Sequence, residues 1–191
     1  MKFIYERSVK LDKESILSTA QTLSPYIEHL QNVAESDDYS FDESSINLPY
    51  DTTLYEDVLN LVEAKVTEGL EYVFVLGIGG SNLGTKAIYD AMFGYFDNLL
   101  PGRLPKMVFV DTNDPLLLED AQNLLKSLID NPQTFVINAV TKSGSTTETI
   151  VNLEGLAQVI PFEVLKDRLV ITTGKNSKLW DHAKDNGIDT L

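Results

Sequence analysis

The stretch Tyr72–Gly84, with the sequence YVFVLGIGGSNLG, decides the fold. Its first half, up to Ile78, is a continuous apolar run, which is typical of a β-strand buried on both faces of a sheet. Glycine-rich sequence follows at once, and a helix is predicted from about Asn82 to Phe93. The order strand, tight turn and helix indicates one unit of a parallel α/β sheet.

The same unit recurs three times further along the chain. Apolar runs predict strands at residues 107–110, 134–140 and 168–173, and helices are expected from Pro115, from about Thr146 to Val159 and from about Ser177 to Lys184. Asp114 is suited to cap the helix that opens at Pro115. Four strands alternating with helices predict a doubly wound parallel sheet with helices on both faces, joined by right-handed crossovers.

A helical lead-in and an acidic loop are predicted before the first strand. The lead-in is indicated by apolar residues at helical spacing, namely Ile16, Leu17, Ala20, Leu23, Ile27, Leu30 and Val33. A kink is expected at Ser24–Pro25. The acidic stretch Glu35–Pro49 is interpreted as a solvated connection. After it, a helix is expected to start at Thr53, with Glu56 completing a capping box, and to stop at Gly69.

The end of the sequence predicts the start of a further element. Gly187 is expected to stop the last helix, and Ile188–Leu191 resembles the first residues of another strand. We therefore expect residues 1–50 to form the lead-in and the acidic loop. Residues 51–191 are expected to form the α/β domain, cut short at its C-terminal end as in a fragment of a longer protein.

Composition narrows the classes of function. The formal net charge of −14 argues against binding to nucleic acids and to anionic membrane surfaces, although local donors can still bind a small anion. The absence of cysteine excludes disulfides, thiolate metal sites and cysteine nucleophiles. Because Met1–Arg7 lacks the apolar core of a secretory signal and no membrane span is evident, we expect a cytoplasmic protein.

Two strand-to-helix turns carry the residues suited to binding. In open α/β sheets, ligands bind outside the carboxyl ends of the strands, near the point where the strand order reverses. The glycines of Gly77–Gly84 let the backbone approach an anion, and Ser81 adds a hydroxyl donor. The turn Thr141–Thr146 adds further hydroxyls and the charge of Lys142. Together, the turns predict a binding site for the phosphate group of a small molecule.

Other interpretations of these turns fit less well. A dinucleotide fingerprint needs a third glycine where Asn82 stands, and Asp97 falls before the second strand rather than at its end. A Walker A loop is excluded because the sequence contains no GxxxxGK[ST] string. Ser145 and Glu148 also fit a capping box, which accounts for those two residues but not for Lys142.

The two turns together resemble those of the glucose-6-phosphate isomerase family. Its sugar-isomerase (SIS) domain carries a Gly-Ile-Gly-Gly-Ser-x-Leu-Gly turn and a Ser-Lys-Ser/Thr-x-Thr-Thr-x-Glu-like turn. Here they are GIGGSNLG at Gly77–Gly84 and TKSGSTTE at Thr141–Glu148. The resemblance covers the chain from about Leu54 onward and implies a flavodoxin-like SIS domain. The first motif is specific to the family, and the second is shared with other sugar-isomerase domains.

The resemblance implies which residues bind substrate. Gly80 and Ser81 would contact the sugar phosphate. The second turn would hold the phosphate oxygens through Thr141, Lys142, Ser143 and Thr146, and Gly144 and Ser145 would complete that loop. Two positions depart from the family pattern. Thr85 stands where proline is usual, and Thr141 replaces serine but keeps the hydroxyl.

By the same resemblance, the reaction is the interconversion of glucose 6-phosphate and fructose 6-phosphate through a cis-enediol, in glycolysis and gluconeogenesis. It needs no metal or organic cofactor, and the intact enzyme is a homodimer. The family's glutamate base, ring-opening histidine and a further lysine lie in later parts of the chain, so no catalytic residue is expected before Leu191. A guanidine contact expected after the fourth strand and its helix is also missing.

The titratable residues that the chain does have are poor substitutes for that machinery. His29 and His182 have no motif around them and are expected to have surface or packing roles. Glu148 is better placed to orient a partner or cap a helix than to act as a base. A stand-alone module that senses sugar phosphates without catalysis is therefore an alternative, and a different sugar-phosphate isomerase or aminotransferase domain is a third.

Overall fold

The computed structural model describes residues 10–36 and 39–191. The expectation about Met1–Arg7, and the Asp37 and Asp38 part of the acidic stretch, lie outside the described residues. The chain divides into two compact units, of which the first ends at Glu56 and the second is Asp57–Leu191. Each unit is described separately below.

The lead-in consists of two helices, α1 (Lys13–Thr22) and α2 (Ser24–Ala34), which confirms the predicted helical segment. The expected kink is instead a complete break at Leu23, because proline has no N–H to continue a helix and its fixed φ suits a first turn. Asp12 caps α1 by accepting from the Ser15 amide at 2.8 Å. Of the residues in these two helices, only Val33 is buried.

The described part of the acidic stretch is more ordered than a solvated connection. It contains a 3₁₀ helix at Ser44–Tyr50, and Glu43 lies 3.3 Å from His29 Nε2 while accepting from the Tyr26 hydroxyl at 3.0 Å. His29 thus has the packing role expected of it, with its ring set edge-on against Phe41.

The next helix, α3 (Thr52–Lys65), does not begin with the expected capping box. Asp51 supplies the cap instead, because its Oδ1 accepts from the Leu54 amide at 2.8 Å. The expected stop at Gly69 is also wrong, since the helix ends four residues earlier at Lys65. Only the existence of this helix was correctly predicted from the sequence.

The second unit is built on a five-stranded parallel sheet. Its strands are β1 (Tyr72–Leu76), β2 (Lys106–Val110), β3 (Phe135–Thr141), β4 (Leu169–Thr173) and β5 (Asp189–Thr190). They pair in the order β2-β1-β3-β4-β5, all parallel, which is the flavodoxin-like order. The four predicted strands and the start of the fifth are therefore confirmed. The predicted helix stop at Gly187 is confirmed too, since the preceding helix ends at Asp185 and Gly187 has a positive φ of 66°.

The helices between the strands are α4 (Leu83–Phe93), α5 (Pro115–Leu128), α6 (Thr147–Ala157), α7 (Phe162–Arg168) and α8 (Lys178–Asp185). Asp114 caps α5 as expected, accepting from the Leu116 amide at 2.8 Å. Helix α7 has no counterpart in the sequence prediction. It has only seven residues and leads directly into β4, so it shows too few turns to produce a helical period.

Helices cover both faces of the sheet. On one face, alternate strand residues such as Phe74, Ile137 and Ile171 form the main core with Leu125 of α5 and Leu156 of α6, and all are almost completely buried. Phe109 of β2 points the other way and packs against Tyr89 of α4, with the ring centroids 6.1 Å apart. The doubly wound arrangement predicted from the sequence is confirmed.

The strand order creates one reversal point. The chain passes from β1 outward to β2, whereas from β3 it passes in the opposite direction to β4. Connections leaving in opposite directions open a crevice at the carboxyl ends of β1 and β3, where ligands bind in folds of this kind. The turns that follow these two strands are the two turns singled out in the sequence.

Candidate functional site

The turn after β1 lies directly against β3. A Cβ atom at Gly77 would come within 3.0 Å of the Ser81 Cβ and 3.1 Å of the Val140 carbonyl oxygen, so any larger residue would force these neighbours to shift. Gly79 has a positive φ of 57° and opens a short 3₁₀ helix, Gly79–Ser81, that leads into α4. Gly79 and Gly80 are exposed and Ser81 is half-buried, so this turn presents two exposed glycines and a partly exposed residue with a hydroxyl.

The turn after β3 is closed by its own hydroxyl groups. Thr141, which is buried, lies with its Oγ1 2.8 Å from the Thr146 Oγ1, and the Ser143 and Ser145 hydroxyls are also 2.8 Å apart. Each such pair uses one of its two hydroxyl hydrogens internally. The second hydrogen of each pair can be donated to an acceptor outside the loop, such as a phosphate oxygen.

The N-terminus of α6 is open. Its N-cap residue is Thr146, and no side chain of the described residues hydrogen-bonds to its first-turn N–H groups. The expected capping box is therefore wrong, because the Ser145 hydroxyl pairs with Ser143 instead of reaching the helix. Unsatisfied N–H groups and the positive end of the helix dipole make this terminus suited to an anion.

Lys142 supplies the full positive charge at this turn. Its side chain is exposed, and it forms no ion pair with any carboxylate of the described residues. Glu148, the acidic residue in the first turn of α6, is half-buried and follows the loop directly. The ammonium group is therefore free to bind an anion.

The eight residues predicted as a substrate site lie on these two turns, at the same edge of the sheet. The contact between Gly77 and the Val140 carbonyl brings the turns side by side. The histidines do not join them. His182 lies in the last turn of α8, which begins at the carboxyl edge and runs away from it. The candidate site thus consists of groups suited to an anion, without a nearby imidazole among the described residues.

Sequence reasoning missed several polar residues around these turns. Asn82 is the N-cap residue of α4, yet its side chain does not cap the helix; it is buried, and neither its Nδ2 nor its Oδ1 has a partner among the described residues. Asn152 of α6 is fully buried and donates to the Thr112 carbonyl at 3.1 Å. No spacing signal distinguishes such residues from ordinary helix residues, because their burial depends on tertiary packing.

One ion pair lies between the helix after the first turn and the end of β2. Lys86 in α4 lies 3.2 Å from the Asp111 carboxylate at the end of β2.

Among the described residues, no group of three or more histidine, aspartate or glutamate side chains is arranged to hold a metal ion. None of the helices in residues 10–36 and 39–191 is long and apolar enough to cross a membrane.

Sequence comparison gives this site a family context. No protein-family model matches the chain. It is 34% identical over 155 residues to a glucose-6-phosphate isomerase of Carboxydothermus hydrogenoformans, covering 76% of this chain and 32% of that protein. The glucose-6-phosphate isomerase of Staphylococcus aureus strain NCTC 8325 is 29% identical over 198 residues, covering 100% of this chain and 41% of that one. This chain is a homologue of glucose-6-phosphate isomerases.

The match to glucose-6-phosphate isomerases extends over only part of those proteins. A relative from Methanocaldococcus jannaschii is 34% identical over 139 residues, which are 71% of this chain and 31% of the relative. The chain thus spans about a third to two fifths of the length of these relatives. The resemblance inferred from the two turns is confirmed at the level of homology.

Solved structures agree on the fold. A hypothetical protein from Thermus thermophilus superposes with a TM-score of 0.63 at 26% identity, over 95% of this chain and 42% of that one. A glucose-6-phosphate isomerase from Chlamydia trachomatis gives a TM-score of 0.55 at 24% identity, over 85% of this chain and 30% of that one. The second likeness is evidence for the fold alone.

Proposed function

We propose that this chain is the phosphate-binding part of a glucose-6-phosphate isomerase, which interconverts glucose 6-phosphate and fructose 6-phosphate. The observation that carries the proposal is the meeting of the two turns at the reversal point of the sheet, beside the open N-terminus of α6. Homology to proteins of that name supports the choice of substrate. The intact enzyme is proposed to be a cytoplasmic homodimer.

The phosphate group of the substrate would be bound by three kinds of donor. The N–H groups of α6 and the hydroxyls of Thr141, Ser143, Ser145 and Thr146 supply neutral hydrogen bonds, and Lys142 supplies a charge-assisted one. Gly80 and Ser81 approach the sugar phosphate from the neighbouring turn. A phosphate monoester carries a charge of about −1.5 to −2 at neutral pH, so it matches a site made of donors.

The proton transfer requires groups that this site does not supply. Moving a proton between C1 and C2 needs a base within hydrogen-bonding reach of those carbons. Glu148 follows the loop that would hold the phosphate on C6, at the opposite end of the substrate. His29 is engaged with Glu43, and His182 lies at the far end of α8. We therefore assign the base and the ring-opening groups to the part of the intact enzyme outside this chain.

The test is to measure binding and turnover on the purified chain. Calorimetry with glucose 6-phosphate and with inorganic phosphate should show weak binding of both, and a coupled isomerase assay should show negligible turnover. Isomerase activity near that of an intact enzyme would overturn the assignment of the proton-transfer groups. Complete absence of phosphate binding would overturn the proposed function.

A sensing module without catalysis is the second candidate, favoured because no histidine of the described residues lies beside the two turns and Glu148 follows the loop proposed to hold the phosphate. The gene beyond the codon for Leu191 separates the two. A reading frame that continues into a domain with glutamate, histidine and lysine suited to isomerisation supports the enzyme. A natural stop codon at that point supports the sensor.

A further inference from the structure

We infer that the turn after β4, Gly174–Ser177, forms a third wall of the anion site and that Lys175 and Lys178 add to its positive charge. The nature of the anion, a sugar phosphate, rests on the proposed function above. Neither the pattern of the first two turns nor the names of the relatives assigns a role to this segment.

The third turn is hydrogen-bonded to the loop that carries Lys142. In the register of the sheet, Thr173 at the end of β4 lies opposite Thr141 at the end of β3, so the two turns start side by side. The Gly174 amide donates to the Lys142 carbonyl oxygen at 3.3 Å. A Cβ at Gly174 would lie 3.1 Å from that oxygen, so glycine permits the approach. The third turn therefore supports the backbone of Lys142 directly.

Ser177 packs against Gly144, in the middle of the loop after β3. Gly144 has a positive φ of 65°. A Cβ atom at this position would overlap the Ser177 hydroxyl, because the two atoms would be closer than van der Waals contact allows. Ser177 is itself fixed, because its Oγ accepts from the Trp180 amide as the cap of α8 and lies 3.3 Å from the Thr173 Oγ1. The shape of the loop is therefore set by the third turn as well as by α6.

The third turn also has an unusual backbone. Asn176 has a φ of 65° and is the one non-glycine residue with a positive φ in residues 10–36 and 39–191. This conformation is disfavoured for most side chains, although asparagine tolerates it better than most, and such residues concentrate at functional sites. Lys175 and Lys178 flank Ser177 in the sequence, two residues before it and one residue after it, and both are exposed.

The charges on the second and third turns favour an anion. Lys142, Lys175 and Lys178 are exposed, and none forms an ion pair with a carboxylate of the described residues. The acidic residues in the first turns of α6 and α8 are Glu148 and Asp181. The second and third turns therefore carry three ammonium groups, against two carboxylates on the helices that follow them, in a chain whose formal net charge is −14. A single lysine would not balance a phosphate dianion.

The charge can be tested with a pair of matched double variants. Lys175→Ala/Lys178→Ala removes the two lysines of the third turn, whereas Lys126→Ala/Lys184→Ala makes the same charge change at the far ends of α5 and α8. Affinity for glucose 6-phosphate, measured by calorimetry, should fall roughly two- to thirtyfold in the first variant, since exposed charge pairs each contribute modestly. The fall should shrink at high salt, and the control should bind like the parent chain.

The position of Ser177 can be tested with two substitutions that both keep the helix cap. Aspartate and asparagine are good N-cap residues of similar size, so Ser177→Asp and Ser177→Asn should have similar melting temperatures. Only the aspartate places a negative charge against the phosphate loop. We expect Ser177→Asp to bind glucose 6-phosphate at least tenfold more weakly than Ser177→Asn.

These experiments separate the inference from the proposed function. Lys142→Ala could weaken binding while the Lys175→Ala/Lys178→Ala variant binds like its control. In that case the third turn does not contribute to anion binding, and the proposed phosphate site on the first two turns stands. Equal affinity of Ser177→Asp and Ser177→Asn would also overturn the third wall. If the parent chain binds neither inorganic phosphate nor glucose 6-phosphate, both the inference and the proposed function fail.

Discussion

At the scale of single residues, the site depends on what glycine and lysine allow. A side chain at Gly144 would collide with Ser177 of the neighbouring turn, and a Cβ at Gly77 would crowd the Val140 carbonyl oxygen of β3, so close packing favours glycine at both positions. Lys142 is exposed and makes no ion pair among the described residues. A structural role would not require a free charge there, whereas the proposed phosphate site does.

Lys142→Ala should weaken binding of glucose 6-phosphate without unfolding the chain. A charge-assisted hydrogen bond contributes about 1.5 to 3 kcal/mol, which corresponds to roughly ten- to a hundredfold in affinity. The exposed side chain makes little contribution to packing, so the melting temperature should not change. Calorimetry on this variant and on Lys126→Ala provides the measurement and its control. Unchanged affinity for glucose 6-phosphate or inorganic phosphate would show that the role assigned to Lys142 is wrong.

Gly144→Ala should destabilise the chain, because the new methyl group meets Ser177 and the residue already has a positive φ. We expect a loss of about 1 to 3 kcal/mol in the free energy of unfolding. Gly84→Ala is the matched control, since a Cβ at Gly84 meets nothing within 4 Å and the residue lies in α4. There alanine should stabilise by about 0.4 to 1 kcal/mol. Urea denaturation of both variants tests the contrast.

At the scale of elements, the connection from α4 to β2 is fixed by a buried ionic cluster. Asp97 is paired with Arg103 and hydrogen-bonded to the Tyr89 hydroxyl, and Lys106 lies 3.2 Å from the same carboxylate. The pKa of the Asp97 carboxyl lies well below its usual range. The hydrogen bond from the Arg103 guanidinium lowers it most, and those from Tyr89 and Lys106 lower it further. Because every member has a partner, the cluster joins α4 to the edge strand rather than marking a reactive site.

Asp97→Asn should therefore destabilise the chain in a pH-dependent way. The folded-state pKa of Asp97 lies below its unfolded value of about 3.9, so the ionic contribution is present above that pH and is lost as the pH falls below it. The gap in melting temperature between parent and variant should be wide at pH 7 and should narrow below about pH 4. Asp120→Asn, on α5 and exposed, is the control. A gap that stays constant down to about pH 2 would contradict this account.

The sequence predicted the elements that have a strong local signal. Apolar runs located β1 to β4 within two residues, and Gly187 correctly indicated the end of α8. Helix α7 was missed because seven residues give no readable period. The capping boxes predicted at Thr53 and Ser145 were wrong because Asp51 and Ser143 compete for the same groups, which a pattern of single residues does not reveal.

At the scale of the second unit, two cationic side chains link the elements at the amino-terminal edge of the sheet. Arg168, which is fully buried, donates to the Phe135 carbonyl at 2.7 Å and to the Lys65 carbonyl at 2.8 Å. Lys65 in turn lies 2.6 Å from the Asp189 carboxylate. Burial lowers the pKa of Arg168 from its usual value, although the guanidinium keeps its charge. Helix α3 and strands β3, β4 and β5 are thereby joined through two side chains.

Arg168→Met should destabilise the unit by about 2 to 6 kcal/mol, because two buried carbonyl groups lose their donor at about 1 to 3 kcal/mol each. Arg168→Lys should recover only part of this loss, since one ammonium group on a shorter side chain does not reproduce the guanidinium fork. Guanidinium chloride denaturation gives the values, with Lys126→Met as an exposed control. A loss below about 1 kcal/mol in Arg168→Met would show that water replaces the guanidinium at no cost.

The candidate site was only partly predictable at this scale. The two turns were identifiable from their glycines and hydroxyl residues because such patterns are local, whereas the eight binding residues follow from the family resemblance and stay a prediction. The contact between Ser177 and Gly144 joins residues far apart in the sequence, and it exists only once β4 lies beside β3. The unpartnered amide of Asn82 is likewise a product of tertiary burial. Such features require the folded sheet.

The hydroxyl pairs of the loop after β3 have a consequence for the rate of binding. Thr141 with Thr146 and Ser143 with Ser145 hold the loop in its curved form through their own hydrogen bonds. The conformational entropy of that segment is therefore lost when the chain folds, and little more is lost when an anion arrives. A preorganised loop of this kind should capture phosphate at a rate set by diffusion, with no slow ordering step.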